Sequence, residues 1–130
     1  ELLVEGNVSS IKQLKNTAIA FLDNGGASNC DYCRGRNDQT SSDHPNSAVI
    51  SLVSDSESSY EKYVAIQNEL MAAYNELRNR ESKRLYGISY EAIKATLNSN
   101  SSAEKDLARE RILNIQSMFP EKISETSSTR

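Results

Sequence analysis

Apolar residues recur along the chain at two spacings, and each change of spacing marks a new element. The opening ELLVEG, Glu1–Gly6, sets three apolar residues before a Gly and predicts a short strand and turn. Across Asn7–Gly26, Ile11, Leu14, Ala18 and Phe21 are spaced by 3, 4 and 3, and Leu22 widens the stripe. That spacing is one buried face of a helix. Ser10 and Gln13 form an S-x-x-Q capping box for its start, and Asn24-Gly25-Gly26 supplies its stop.

The next apolar run is AVISLV, Ala48–Val53, whose β-branched content predicts a buried strand. Ser58 and Glu61 make a second capping box. Tyr63, Ile66, Leu70, Ala73 and Leu77 then repeat at 3, 4, 3 and 4, predicting a helix from Ser59 to near Tyr86 that stops at Gly87. The stripe covers about two heptads, too few for a coiled-coil seam, so burial against a sheet is expected. Ser89–Leu97 predicts a short helix with Tyr90, Ile93 and Leu97 on one side. Ser101 and Glu104 form a third capping box, and Ala108, Ile112, Ile115 and Phe119 make another helical stripe, ended by Pro120. The alternating EKISET, Glu121–Thr126, predicts a last edge strand, and residues 127–130 a loose polar tail.

Strands separated by helices argue for an α/β, two-layer arrangement. The expected fold is one small mixed β-sheet with two main helices packed on one face and a helical insertion, residues 81–119, before the last strand. A single domain spans residues 1–126. Residues 27–47, Ala27–Ser47, hold almost nothing apolar and read as a loop of about twenty residues, a length that is usually functional, tied down or disordered.

Composition narrows the class. The chain has 130 residues, 14.4 kDa, 37% apolar residues, no Trp and a mean hydropathy of −0.62. Ser and Asn make up about a quarter of it. A lean core under a polar surface is implied, in one domain. The net charge is −3, with 15 basic against 18 acidic residues, so nucleic acid is a poor partner. The densest basic run, Arg78, Arg80, Lys83 and Arg84, is interrupted by Glu81 and reads as a solvated helix face. No apolar run reaches bilayer-spanning length. The first residue is Glu, so the chain is expected to be a fragment or processed product.

The chemistry of catalysis is thin. The one His, His44, lies beside Pro45 in the polar loop and reads as solvent-exposed surface. Gly25-Gly26 lacks the context of a phosphate loop. No carboxylate pair sits in an apolar setting. No enzymatic activity, cofactor or metal is expected. The one constellation is Cys30-Asp31-Tyr32-Cys33. Its C-x-x-C spacing suits a local disulfide, half a metal site completed by His44 or an Asp, a redox dithiol, or free thiols.

The stretch AVISLVSDSESSYEKYVAIQNELMAAYNELRN, beginning at Ala48, resembles the periplasmic domain of the ExbD/TolR family, in the version found in Bacteroidetes-type bacteria. ELLVEGNVSSIKQLKNTAIAFL is similar to that family's opening strand and first helix, MFPEKISET to its closing strand, and the CDYC loop to loops of that group. The resemblance covers nearly the whole chain. It implies the periplasmic domain of a single-pass inner-membrane subunit working with a multi-pass ExbB- or TolQ-like partner. That proton-driven motor energises TonB for outer-membrane uptake, or TolA for envelope integrity. The family's proton-carrying Asp lies in a transmembrane helix, which this chain does not contain, and neither Asp23 nor Asp55 matches it. The long loop and the 81–119 insertion depart from shorter members.

On this reading the domain is a non-catalytic adaptor, with two copies per motor. Edge strands that could accept a partner or a second copy are sought at Leu2, Leu3 and Val4 and at Lys122, Ile123 and Ser124. An oxidising periplasm predicts that Cys30 and Cys33 are bonded to each other. The alternatives are a TolR-like module that grips peptidoglycan, and an extracytoplasmic thiol-redox or metal-handling protein built on Cys30 and Cys33.

Overall fold

The structure is a computed structural model that describes residues 2–5, 8–55 and 60–128. Its elements are β1 (Leu2–Glu5), α1 (Val8–Leu22), β2 (Ile50–Asp55), α2 (Tyr60–Tyr86), α3 (Tyr90–Ala95), α4 (Ser102–Met118) and β3 (Ile123–Ser128). Single 3-10 turns lie at Pro45–Ser47 and Thr96–Asn98.

The three strands form one sheet in the order β1-β2-β3. Leu2 pairs with Ile50, and Ile50 with Ile123; both pairings are parallel. The sheet is therefore not mixed, as the sequence had suggested. Every link between successive strands carries a helix, and a parallel pair requires such a crossover, whereas an antiparallel pair could use a hairpin that this chain lacks. The coarser reading, helices with one small sheet, stands, and α1 and α2 share one core cluster with Ile50 and Leu52 of β2.

Ile50 and Leu52, two residues apart on β2, face the helices and are 0% and 2% exposed. They join Leu14, Ala18, Phe21 and Leu22 of α1 and Ile66, Leu70, Ala73, Tyr74 and Leu77 of α2 in one cluster, closed by Phe119. The stripe on α2 is thus core rather than a seam. Ser124, one position along β3 from the helix-facing Ile123, is exposed.

Gly87 stops α2 as the sequence predicts. It takes φ +76 and donates its N–H to the Lys83 carbonyl at 3.0 Å, a left-handed helix exit that a side chain would strain. Ser89 and Ser101 cap α3 and α4, accepting from the backbone N–H of Ala92 and Glu104. Only half the Ser101 capping box forms, since the Glu104 carboxylate accepts instead from Ser99 Oγ at 2.6 Å. Ser10 lies inside α1 and is not its cap, because the helix starts at Val8. Ser58 lies outside the described residues. β2 and β3 both begin two residues later than predicted, so Ser127 and Ser128 belong to β3 rather than to a loose tail.

Candidate functional site

The polar loop between α1 and β2 has no strand, but it is firmly pinned to the end of α1. Asn24 does most of this. Its amide donates to the carbonyls of Asp38 and Ser42 at 2.8 and 2.7 Å and accepts from Asp38 N–H at 3.0 Å. Ser42 Oγ donates to the Phe21 carbonyl. His44 is half-buried rather than plain surface. Its Nδ1 accepts from Asn46 N–H at 3.1 Å, capping the 3-10 turn, and its ring meets Tyr32 edge-on at 5.8 Å.

Cys30 and Cys33 form a disulfide. They are therefore neither free thiols nor metal ligands here, and among the described residues no three His, Cys, Asp or Glu side chains cluster to hold a metal. Cys33 is buried against Gly25, which takes φ +63; a Cβ on that glycine would lie 2.9 Å from Cys33 Cβ. Between the cysteines, Tyr32 turns inward. Its hydroxyl donates to the Met118 carbonyl at 2.7 Å, and its ring packs edge-on against Phe119 at 5.4 Å. Burial, with Asp31 and Glu81 nearby, pushes its phenol up to about 12, so it remains a donor at neutral pH.

The basic run on α2 is a solvated face only at Lys83 and Arg84, which are exposed; Arg78 and Arg80 are covered. Arg78 is 7% exposed, lies against the Tyr74 and Tyr90 rings, and donates through Nε and Nη2 to the Phe119 carbonyl at 3.2 and 2.9 Å. Arg80 forks onto the Asp23 carboxylate at 2.7 and 2.9 Å, onto the Tyr32 carbonyl at 3.0 Å and onto Glu81 at 2.8 Å. Burial works against the Arg80 charge, but its hydrogen bonds to Asp23 and Glu81 outweigh that and hold its guanidinium above its usual value. Glu81, 1% exposed, is held from its other side by Arg84 at 2.6 Å. Among the described residues no buried side-chain nitrogen or oxygen lacks a hydrogen-bond partner.

These residues were missed because charge periodicity alone cannot tell a solvated face from a covered one. A usable signal was present. The apolar stripes on α3 and α4 needed a surface to bury, and the α2 face carrying Tyr74, Arg78 and Ser82 was the one left over.

The predicted edges fall as follows. With β2 in the middle, β1 and β3 are the outer strands, so Leu2–Val4 and Ile123–Ser124 lie on opposite sides of the sheet. Lys122 is not an edge residue. It precedes β3, its carbonyl accepts from Ile50 N–H at 2.9 Å, and its N–H donates to Tyr74 Oη at 3.1 Å. In a parallel ladder successive residues alternate in direction. With Lys122 turned towards β2, the register directs Ile123 N–H outward. Glu125 is tied to α2 by Tyr63 Oη at 2.8 Å and by Gln67 Nε2, and its hydrogen bond from Tyr63 raises the Tyr63 phenol above its ordinary value. β3 is thus fastened on its inner side, and among the described residues no strand pairs with its outer one.

The chain matches no known protein family, no curated protein and no solved structure.

Proposed function

We propose that this domain is the periplasmic part of an ExbD/TolR-type inner-membrane subunit. It is a non-catalytic adaptor that helps couple the proton motive force to TonB-dependent outer-membrane transport. The observation that carries the reading is the outer strand β3, fastened to α2 by Tyr63, Gln67 and Tyr74 while its outward N–H at Ile123 is left to accept an extended segment. Such a strand gives a partner a rigid grip through which a pull can be transmitted. The sequence resemblance across the chain supports the same reading. Its partners would be an ExbB- or TolQ-like multi-pass subunit, a TonB- or TolA-like protein and a second copy of this chain.

Isolation of the full-length protein from native membranes in mild detergent tests the assignment. A complex holding a multi-pass membrane subunit and two copies of this chain is expected; recovery without any multi-pass subunit would contradict it. The edge is tested by Ile123→Pro, which removes the outward donor without touching the Lys122–Ile50 hydrogen bond. Sedimentation over a concentration series should show weaker self-association for this variant than for wild type. Equal dimerisation by a folded variant would move the contact to Leu2–Glu5.

A further inference from the structure

The residues around the disulfide connect it to the start of β3. Cys30–Cys33 is a tight turn whose Asp31 and Cys33 carbonyls accept from Arg34 Nη1 at 2.9 and 3.2 Å; beside it Ser28 N–H donates to the Gly25 carbonyl at 3.1 Å and Gly35 N–H to the Asp23 carbonyl at 2.9 Å. The sulfur bridge closes that four-residue ring covalently, and Tyr32 lies inside it. Three groups of Tyr32 reach other parts of the fold. The hydroxyl holds the Met118 carbonyl, the ring rests on Phe119 and the carbonyl accepts from Arg80. Two residues of α2 grip the same segment: Arg78 at the Phe119 carbonyl and Tyr74 at Lys122 N–H. Of these three side-chain hydrogen-bond anchors on residues 118–122, Arg78 and Tyr74 are set by a long helix. Tyr32 is set by a ring that one covalent bond closes.

We propose that the Cys30–Cys33 disulfide is a thiol-exchange site whose reduction by a dithiol releases Tyr32 and loosens the segment Met118–Lys122 that leads into β3. Cys30 is partly exposed, whereas Cys33 is buried, so the incoming thiolate attacks Cys30 Sγ. The Cys30–Cys33 bond breaks and Cys33 leaves as a thiolate, which takes up a proton. The second thiolate of the reductant then attacks its own sulfur in the mixed disulfide and frees Cys30, which is likewise protonated. Two electrons and two protons pass to the cysteines, and the dithiol becomes a disulfide. Opening the ring returns backbone freedom to four residues, and that entropy opposes the ordered placement of Tyr32. The inference stands on the geometry of the domain and holds whether or not the adaptor reading does.

Amide hydrogen exchange on the native protein, with and without dithiothreitol, tests it. In the reduced protein the amides of Lys122 and Ile50, which are hydrogen-bonded at this segment, should exchange faster by up to about tenfold, as loss of one anchoring hydrogen bond implies. The amides of Leu70 and Ala73 in the core of α2 should not change. Tyr32→Phe with the disulfide intact should accelerate the same two amides, and reducing that variant should add little. A Cys30→Ser, Cys33→Ser double variant without reductant should match reduced wild type. Three results would each overturn the proposal: resistance of the folded protein to dithiothreitol, acceleration confined to residues 27–38, or loss of protection throughout the molecule, which would make the bridge a general brace.

Discussion

Arg80, on α2, holds the carboxylate of Asp23, the first residue past α1, through hydrogen bonds of 2.7 and 2.9 Å. Asp23 is 8% exposed at its side chain and also accepts from Arg34 N–H at 3.0 Å. One charge pair thus joins the end of the first helix, the disulfide loop and the long helix. Asp23→Ala and Arg80→Ala should each destabilise the domain, and the double variant by less than their sum. The coupling should be about 1–3 kcal/mol, the range for hydrogen-bonded charged groups in contact. Urea denaturation of the four proteins measures it, and simple additivity would mean the pair is not coupled.

The core prediction rests on Leu70, which is fully buried between the sheet and α1. Leu70→Ala leaves a cavity that surrounding side chains fill only in part. The expected cost is about 2–5 kcal/mol. A urea midpoint equal to that of wild type would show that this stripe is not the core.

Tyr32 gives the domain an alkaline limb. Its phenol titrates at about 12 when folded, against an ordinary value of 10.0. Between those values the folded state keeps a proton that the unfolded state releases. The contribution is therefore fully present below about pH 10 and is lost as pH rises to about 12. Tyr74 is also raised, chiefly by burial, but it is common to wild type and Tyr32→Phe and cancels in their difference. The stability advantage of wild type over Tyr32→Phe should shrink between about pH 10 and about pH 12. A constant difference would place the phenol outside the anchoring contact.

The redox state has a direct readout. Intact-mass measurement of native protein after alkylation without reductant should show no labelled thiol, because Cys30 and Cys33 are bonded to each other. Addition of two alkyl groups would remove the bridge from the account.

Local periodicity made most of the fold legible. The spacing of Tyr63, Ile66, Leu70, Ala73 and Leu77 placed α2 within a residue of its ends, and Gly87 marked the stop. Strand direction was not legible in the same way. It follows from what links the strands, and the expectation of a mixed sheet ignored that both links are helical. The pairing of Cys30 with Cys33 was the reading that C-x-x-C favoured among several left open, and the periplasm implied by the family resemblance supported it. The cluster of Asp23, Tyr32, Arg78, Arg80 and Glu81 was not legible, because Arg80 reaches Asp23 and Tyr32 across 57 and 48 residues of sequence, and no local spacing signals such contacts. Lys122 misled for a related reason. Sequence alternation marks a strand, but only the register reveals which backbone groups are already taken.

The central claim, that the domain transmits proton-driven work to outer-membrane uptake, is tested most directly by active uptake of a TonB-dependent cargo such as a ferric chelate. The strain to use is one in which the gene encoding this chain has been deleted and then restored in wild-type form. Deletion should reduce uptake to the level left when a protonophore collapses the proton motive force, with detergent resistance intact, and the wild-type gene should restore it. Uptake that is unchanged by the deletion would contradict the account, and detergent sensitivity in its place would assign the domain to the envelope-integrity system instead.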